Sequence, residues 1–225
     1  NSMVDTTGAT EFDEMRWKDK SQRIVFRHEA ALSLIGAQDK EILDIGCGDG
    51  LLVRLITEKY GDAQCTGVDF SHNAIARARA GVPKADFKVV DAVSASLPFH
   101  DNAFDVVIAL DVFEHVLMPE KLLAEMKRVS KRGVVVGVPN FSSLPARLQV
   151  LLGKVPENNR PGKGHVYWFN HYVLGNLLRA DGLRIKKVRT NYPWARVPVV
   201  GAVIGALLRV FPNAFALSFI IYAEK

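Results

Sequence analysis

Four carboxylates and one imidazole stand where apolar runs end. Asp44 lies within Ile42-Leu43-Asp44-Ile45, and Gly46-Cys47-Gly48-Asp49-Gly50 follows at once. Asp69 ends the run from Cys65, Asp91 follows Asp86–Val90, and Glu114-His115 follow Phe104–Leu110. Carboxylates accept hydrogen bonds from hydroxyls and amines, and an imidazole exchanges a proton near neutrality. The glycines of the first turn can take positive φ and let a ligand approach the backbone closely. Their Gly-x-Gly-x-Gly spacing is not the dinucleotide Gly-x-Gly-x-x-Gly, and the phosphate-binding Gly-Lys-Ser/Thr is absent. Asp44 beside that turn repels a pyrophosphate and favours a cationic ligand. Asp69 falls 19 positions after Gly50, near the spacing at which an acid in a nucleotide-binding βαβ unit accepts from both ribose hydroxyls.

The elements that must position these groups follow from hydrophobic patterning. Glu41–Ile45 reads as a buried strand, with Leu51, Leu52, Leu55 and Ile56 at helical spacing behind it. Further strands are expected over 65–69, 86–90, 104–110, 133–138, 183–191 and 215–222, with helices between most of them. Ser71 and Asn170 can cap helices, and Pro119 can open one as its first residue. Alternation of this kind predicts an α/β fold with a mostly parallel sheet. In such sheets ligands bind outside the carboxyl ends of the strands. Asp44, Asp69, Asp91 and Glu114/His115 would then share one rim.

That pattern resembles the class I S-adenosylmethionine (SAM)-dependent methyltransferases, whose first motif Asp44-Ile45-Gly46-Cys47-Gly48-Asp49-Gly50 matches. The resemblance covers about residues 42–138 well and the whole chain in outline. It implies a Rossmann-like seven-stranded sheet of order 3-2-1-4-5-7-6, last strand antiparallel, with helices on both faces. It implies SAM as cofactor and S-adenosylhomocysteine (SAH) as product. Asp44, Gly46, Cys47, Gly48 and Gly50 would hold the methionyl part and Asp69 the ribose. Phe70, Asp91, Ala92 and Leu110 would complete the cofactor site, Asp91 at the adenine amine. Asp111-Val112-Phe113-Glu114-His115-Val116 is similar to small-molecule methyltransferases of the ubiquinone-biosynthesis type. Val138-Pro139-Asn140-Phe141, Arg147-Leu148-Gln149 and Gly153-Lys154-Val155-Pro156 resemble the MetW family, which lacks the Glu-His pair.

A single domain is expected for 225 residues. It comprises an N-terminal helix over about 20–36, a cofactor half over 40–138, lid and acceptor elements over 139–212, and a final strand over 214–223. Arg23, Arg27 and His28 on that helix are candidates for the cofactor carboxylate, or only its polar edge. His115 is the candidate base, equally a residue that shapes the site through the backbone. Glu114 orients it or caps the following turn. Asn140, His165, Tyr167 and Trp168 are candidates to line an acceptor, set against simple helix-entry packing. The histidines are not at metal-ligand spacing, so no metal is expected.

The acceptor expected is a small molecule or a lipid or glycan intermediate, taken at oxygen. Asn/Asp-Pro-Pro-aromatic is missing after the fourth strand, which disfavours planar amines. The formal charge of +5 and pI near 9.2 motivate RNA only weakly, and no DNA is expected. A non-catalytic regulatory partner of a biosynthetic enzyme is the competing reading. Two cysteines and no signal segment point to a reducing, cytoplasmic setting. The apolar stretch 197–211 is expected to pack on the sheet, with a homodimer face or peripheral membrane contact as the other readings.

Overall fold

A computed structural model describes residues 24–92, 96–160, 163–193, 195 and 197–225. The expected residues 1–23, including Arg23, lie outside it. In chain order the strands are β1 Glu41–Ile45, β2 Gln64–Asp69, β3 Asp86–Val89, β4 Phe104–Leu110, β5 Ser130–Pro139, β6 Arg184–Asn191 and β7 Ser218–Glu224. The helices are α1 Phe26–Leu34, α2 Leu51–Lys59, α3 His72–Gly81, α4 Pro119–Val129, α5 Leu144–Leu151, α6 His171–Ala180, α7 Pro198–Val210 and the single turn α8 Pro212–Phe215. The sheet order is β3-β2-β1-β4-β5-β7-β6. Strands β1 to β5 pair in parallel, and β7 runs antiparallel to both β5 and β6. The expected fold class is the observed one.

Continuous apolar runs work here because both faces of the sheet are covered. Successive side chains of a strand point to opposite faces. Leu43, Val107, Val134, Val136 and Ile221 therefore pack with Leu123, Met126, Leu174 and Leu178 of α4 and α6. Ile42, Val106, Ile108, Val135 and Ile220 meet Ala31, Leu52, Val53, Ile56 and Ile75 of α1, α2 and α3 on the other face. Each large buried side chain contributes about 1.5–3 kcal/mol. Local signals agree with this packing. Ser71 accepts from the Ala74 amide at 3.0 Å, and Asn170 accepts from Tyr172 and Val173 at 2.9 and 3.0 Å. Pro119 opens α4.

The N-terminal helix, among the described residues, is shorter than expected and spans Phe26–Leu34. Helix α7 packs through Gly201, Ile204 and Leu208 and leaves Val199 and Val203 at 76% and 55% exposure. Among the described residues no helix is long and apolar enough to cross a membrane.

Candidate active site

The turn after β1 is built by its glycines. Gly46, Gly48 and Gly50 sit at φ of 70°, 56° and 79°, a region that costs other residues roughly 1–2 kcal/mol. Amides of Gly46 and Cys47 both donate to the Val68 carbonyl, at 2.8 and 3.0 Å. The turn is thereby folded onto the end of β2. Asp69 ties it down further, because its Oδ2 accepts from the Gly48 amide at 2.9 Å and its Oδ1 from the Ser71 amide at 3.0 Å. A carboxylate offers about four acceptor sites, so these two bonds leave its chemistry compatible with hydroxyl donors. Gly67 makes room beneath. A Cβ there would lie 2.6 Å from the Phe87 ring and 2.9 Å from Cys47 Sγ.

Gly46 also fixes the neighbouring strand end. A Cβ on it would fall 2.5 Å from Cγ2 of Val112, just past β4. The Gly46→Ala variant combines left-handed strain with that clash. It is expected to destabilise the fold by about 2–4 kcal/mol, read as a lower midpoint in urea unfolding.

Electrostatics at the turn are unusual. Asp44 is buried, and burial, then the nearby Asp69 charge, pushes its carboxyl up to about 8. An acid in that state is relieved by a cation placed beside it. The two cysteines behave as core thiols. Both are buried and unpaired, burial raises each, and Cys65 is pushed up to about 12. At the outer rim Phe70 is 63% exposed, Asp91 is exposed, and Ala92 and Leu110 are half-buried. The amide of Val90 donates to the Asp69 carbonyl at 2.9 Å, bringing the β3 exit beside that of β2.

Past β4 the chain makes a strained exit. Asp111 adopts φ of 54°, its amide donates to the Gly137 carbonyl at 2.9 Å, and its carboxylate pairs with Arg27 of α1 at 3.1 Å. A 3-10 turn, Phe113–His115, follows. Phe113 is the buried anchor, and Glu114 beside it is 1% exposed. The Glu114 carbonyl accepts from the amides of Val166 and Tyr167 at 2.8 and 3.1 Å. His115 Nδ1 lies 3.0 Å from the Gly164 carbonyl, which makes Nδ1 the protonated nitrogen and leaves the lone pair on Nε2.

These contacts carry His165 onto the same spot. Its ring lies 4.7 Å from that of His115, and its Nε2 is 4.0 Å from Glu114 Oε1. Burial, then Asp111, pushes Glu114 up to about 8, with Arg27 opposing weakly. Burial, then His115, lowers His165. Near neutral pH the Glu114–His165 contact is therefore between two uncharged groups, not an ion pair.

The description "Methyltransferase domain" matches residues 43–137, from the first motif through most of β5. Residues 43–137 are a methyltransferase domain of the class I SAM-dependent type. The chain is 28% identical over 179 residues to a malonyl-[acyl-carrier protein] O-methyltransferase of Geobacter sulfurreducens, covering 77% of the chain and 66% of that protein. It is 27% identical over 204 residues to a ubiquinone biosynthesis O-methyltransferase of Nitrosospira multiformis, covering 82% and 83% respectively. Its fold matches magnesium protoporphyrin IX methyltransferase of Synechocystis PCC 6803, solved with bound SAH, at TM-score 0.68 and 16% identity over 98% and 97% of the two chains. The chain spans about half or less of the length of several other relatives it matches. SAM is the cofactor of this family, and the positive-φ turn, buried Asp44 and Asp69 fit a ligand with a cationic end and vicinal hydroxyls.

Within the methyltransferase, some expected site residues fall elsewhere. Asn140 is fully buried. Its Nδ2 donates to the carbonyls of Asn213 and Ala216 at 2.9 and 2.7 Å, and its Oδ1 accepts from the Ser142 amide and hydroxyl. All of its amide capacity is spent joining the β5 exit to α8, so it positions backbone and does not line an acceptor. His28 is also buried, and its Nδ1 accepts from the Val25 amide at 3.3 Å. His165, Tyr167 and Trp168 do gather at the β4 exit. Phe141, absent from the expected set, joins them with its ring 5.6 Å from His165 and stacked at 6.4 Å on Trp168. Tyr167 stacks on Phe169 at 5.0 Å and roofs a cavity of about 290 Å³ bounded by Pro119, Val173 and Leu177. The adjacency of Phe141 to the Pro139-Asn140 strand exit was the signal available for it.

Proposed function

We propose that this methyltransferase moves the SAM methyl group to a hydroxyl oxygen of a small molecule held against Glu114, His115 and His165. The observation that carries this reading is the convergence of those three side chains beside Val112, the residue that also packs over Gly46 of the cofactor turn. Asp69 would hold the ribose hydroxyls and Asp91 the adenine amine, with Phe70 and Ala92 beside the base and Asp44 and the turn at the methionyl end.

When bound, SAM supplies a methyl group on a sulfonium that departs as a neutral thioether. The chain's task is alignment, worth roughly 7–11 kcal/mol when reactants are well placed, and removal of one proton. His115 Nε2 takes the hydroxyl proton, with Nδ1–H held by the Gly164 carbonyl. The deprotonated oxygen would then take the methyl group, the S–C electron pair staying with sulfur. Oxygen is favoured because the relatives aligned over most of this chain are named as O-methyltransferases, whereas the named N-methyltransferases align over under half of it.

Incubating the chain with methyl-labelled SAM and a small-molecule extract tests this. A labelled methyl ether is the expected product. A labelled amine, or label appearing only in RNA, would overturn it.

Asp44 gives the site a pH signature. In the free protein it stays protonated up to about pH 8. A bound ammonium favours the carboxylate, so the complex holds fewer protons than the free protein below that pH. SAH affinity is therefore expected to rise between pH 6 and 8 by up to about tenfold per unit and then level off. Asp44→Asn should flatten the profile, and a wild-type profile already flat would contradict the assignment.

A further inference from the structure

Glu114, His115 and His165 offer one carboxylate oxygen and two imidazole nitrogens, all within 4.8 Å of one another. Sequence spacing hides the set because His165 comes from 50 positions further along the chain than His115. It is assembled by backbone bonds from Val166 and Tyr167 to the Glu114 carbonyl. We propose that these three side chains bind a divalent first-row transition cation, and that the ion holds the acceptor oxygen. The inference rests on the hydroxyl-acceptor reading above and replaces its proton step.

Three features support a built site. Glu114 is 1% exposed, and its Oε2 has no hydrogen-bond partner. A buried acid oxygen left in that state is costly unless something else meets it. His115 is already fixed by a carbonyl behind Nδ1, the arrangement that orients imidazole ligands around metals and leaves Nε2 for the ion. The donor set is two nitrogens and one oxygen, which suits Zn²⁺, Co²⁺ or Mn²⁺ better than Mg²⁺ or Ca²⁺. Ligands about 2.0–2.2 Å from one ion lie roughly 3–4 Å apart, so closure needs inward movement of about an ångström from the half-buried histidines. The Phe141 ring stands 5.6 Å from that of His165 and carries Trp168 stacked on it. Three protein ligands would leave the remaining coordination positions to water or to the acceptor. A hydroxyl bound to such an ion loses its proton to solvent near neutral pH. The resulting oxygen anion forms the new O–C bond while the S–C electron pair goes to sulfur, with no oxidation or reduction.

The test uses the full chain without an affinity tag, freed of metal with a chelator, and titrates Co²⁺ and SAH separately. One Co²⁺ per chain with visible d–d absorption is expected, displaced by Zn²⁺ or Mn²⁺ and poorly by Mg²⁺. His165→Gln and His115→Gln should each weaken Co²⁺ binding at least about 100-fold, since even an outer partner of a metal ligand is worth 10–100-fold. SAH affinity should stay within about twofold in both, which also verifies folding. SAH binding with no saturable Co²⁺ binding at millimolar metal would overturn the proposal, as would binding undiminished in both variants or selective for Mg²⁺. Co²⁺ binding without SAH binding would support the ion site and overturn the methyltransferase activity instead.

Discussion

Asp69→Ala is expected to weaken SAH binding by between about 10² and 10⁴. The carboxylate would accept two ribose hydroxyls, and hydrogen bonds to a charged group contribute roughly 1.5–3 kcal/mol each. The same carboxylate also holds the Gly48 and Ser71 amides, so alanine loosens the turn as well as removing the acceptor. Asp69→Asn separates the two effects, since its oxygen can keep one of those bonds while the charge is lost. That charge is the second cause of the raised Asp44 carboxyl. Asp69→Asn should therefore move the pH profile of SAH binding to lower pH while weakening affinity throughout. Calorimetric titration of both variants across pH checks this, and unchanged affinity in Asp69→Ala would remove the ribose assignment.

The second large effect is on turnover. His115→Gln is expected to lower kcat by about 10²–10⁴ with SAH affinity unaltered, because the variant loses either the group that takes the acceptor proton or a ligand of the ion that acidifies the acceptor hydroxyl. His115 makes its contacts with Gly164 and His165 on the acceptor side, not with the glycine turn. A structural histidine would behave differently. Its loss would loosen the 163–167 segment and raise the acceptor KM while kcat fell little. Measuring kcat and KM separately distinguishes the cases.

How much of this was written in the sequence depends on the range of each interaction. Asp44, Asp69 and Asp91 were legible because each terminates an apolar run whose strand character is local, and the glycine turn announces its own backbone geometry. The same locality made the Ser71, Asn170 and Pro119 helix starts readable. Glu114 and His115 could be placed on the rim but not given neighbours. Their meeting with His165 depends on two amides of a distant segment finding one carbonyl. Asn140 looked like a site residue because it follows a strand end, as the true rim acids do. What its amide bonds to is decided by α8, more than 70 positions away. Helix α7 packs on the core through one side only, Gly201, Ile204 and Leu208, a detail that apolar residues on nearly every side do not reveal.

A crystal structure of the full chain with SAH decides where the cofactor sits. Ribose hydroxyls on Asp69, the amino group over the Gly46–Gly50 turn beside Asp44, and the thioether sulfur opening toward His115 and Glu114 are expected. A ligand seated there with its sulfur turned away from the β4 exit, or seated elsewhere on the sheet, would contradict this placement.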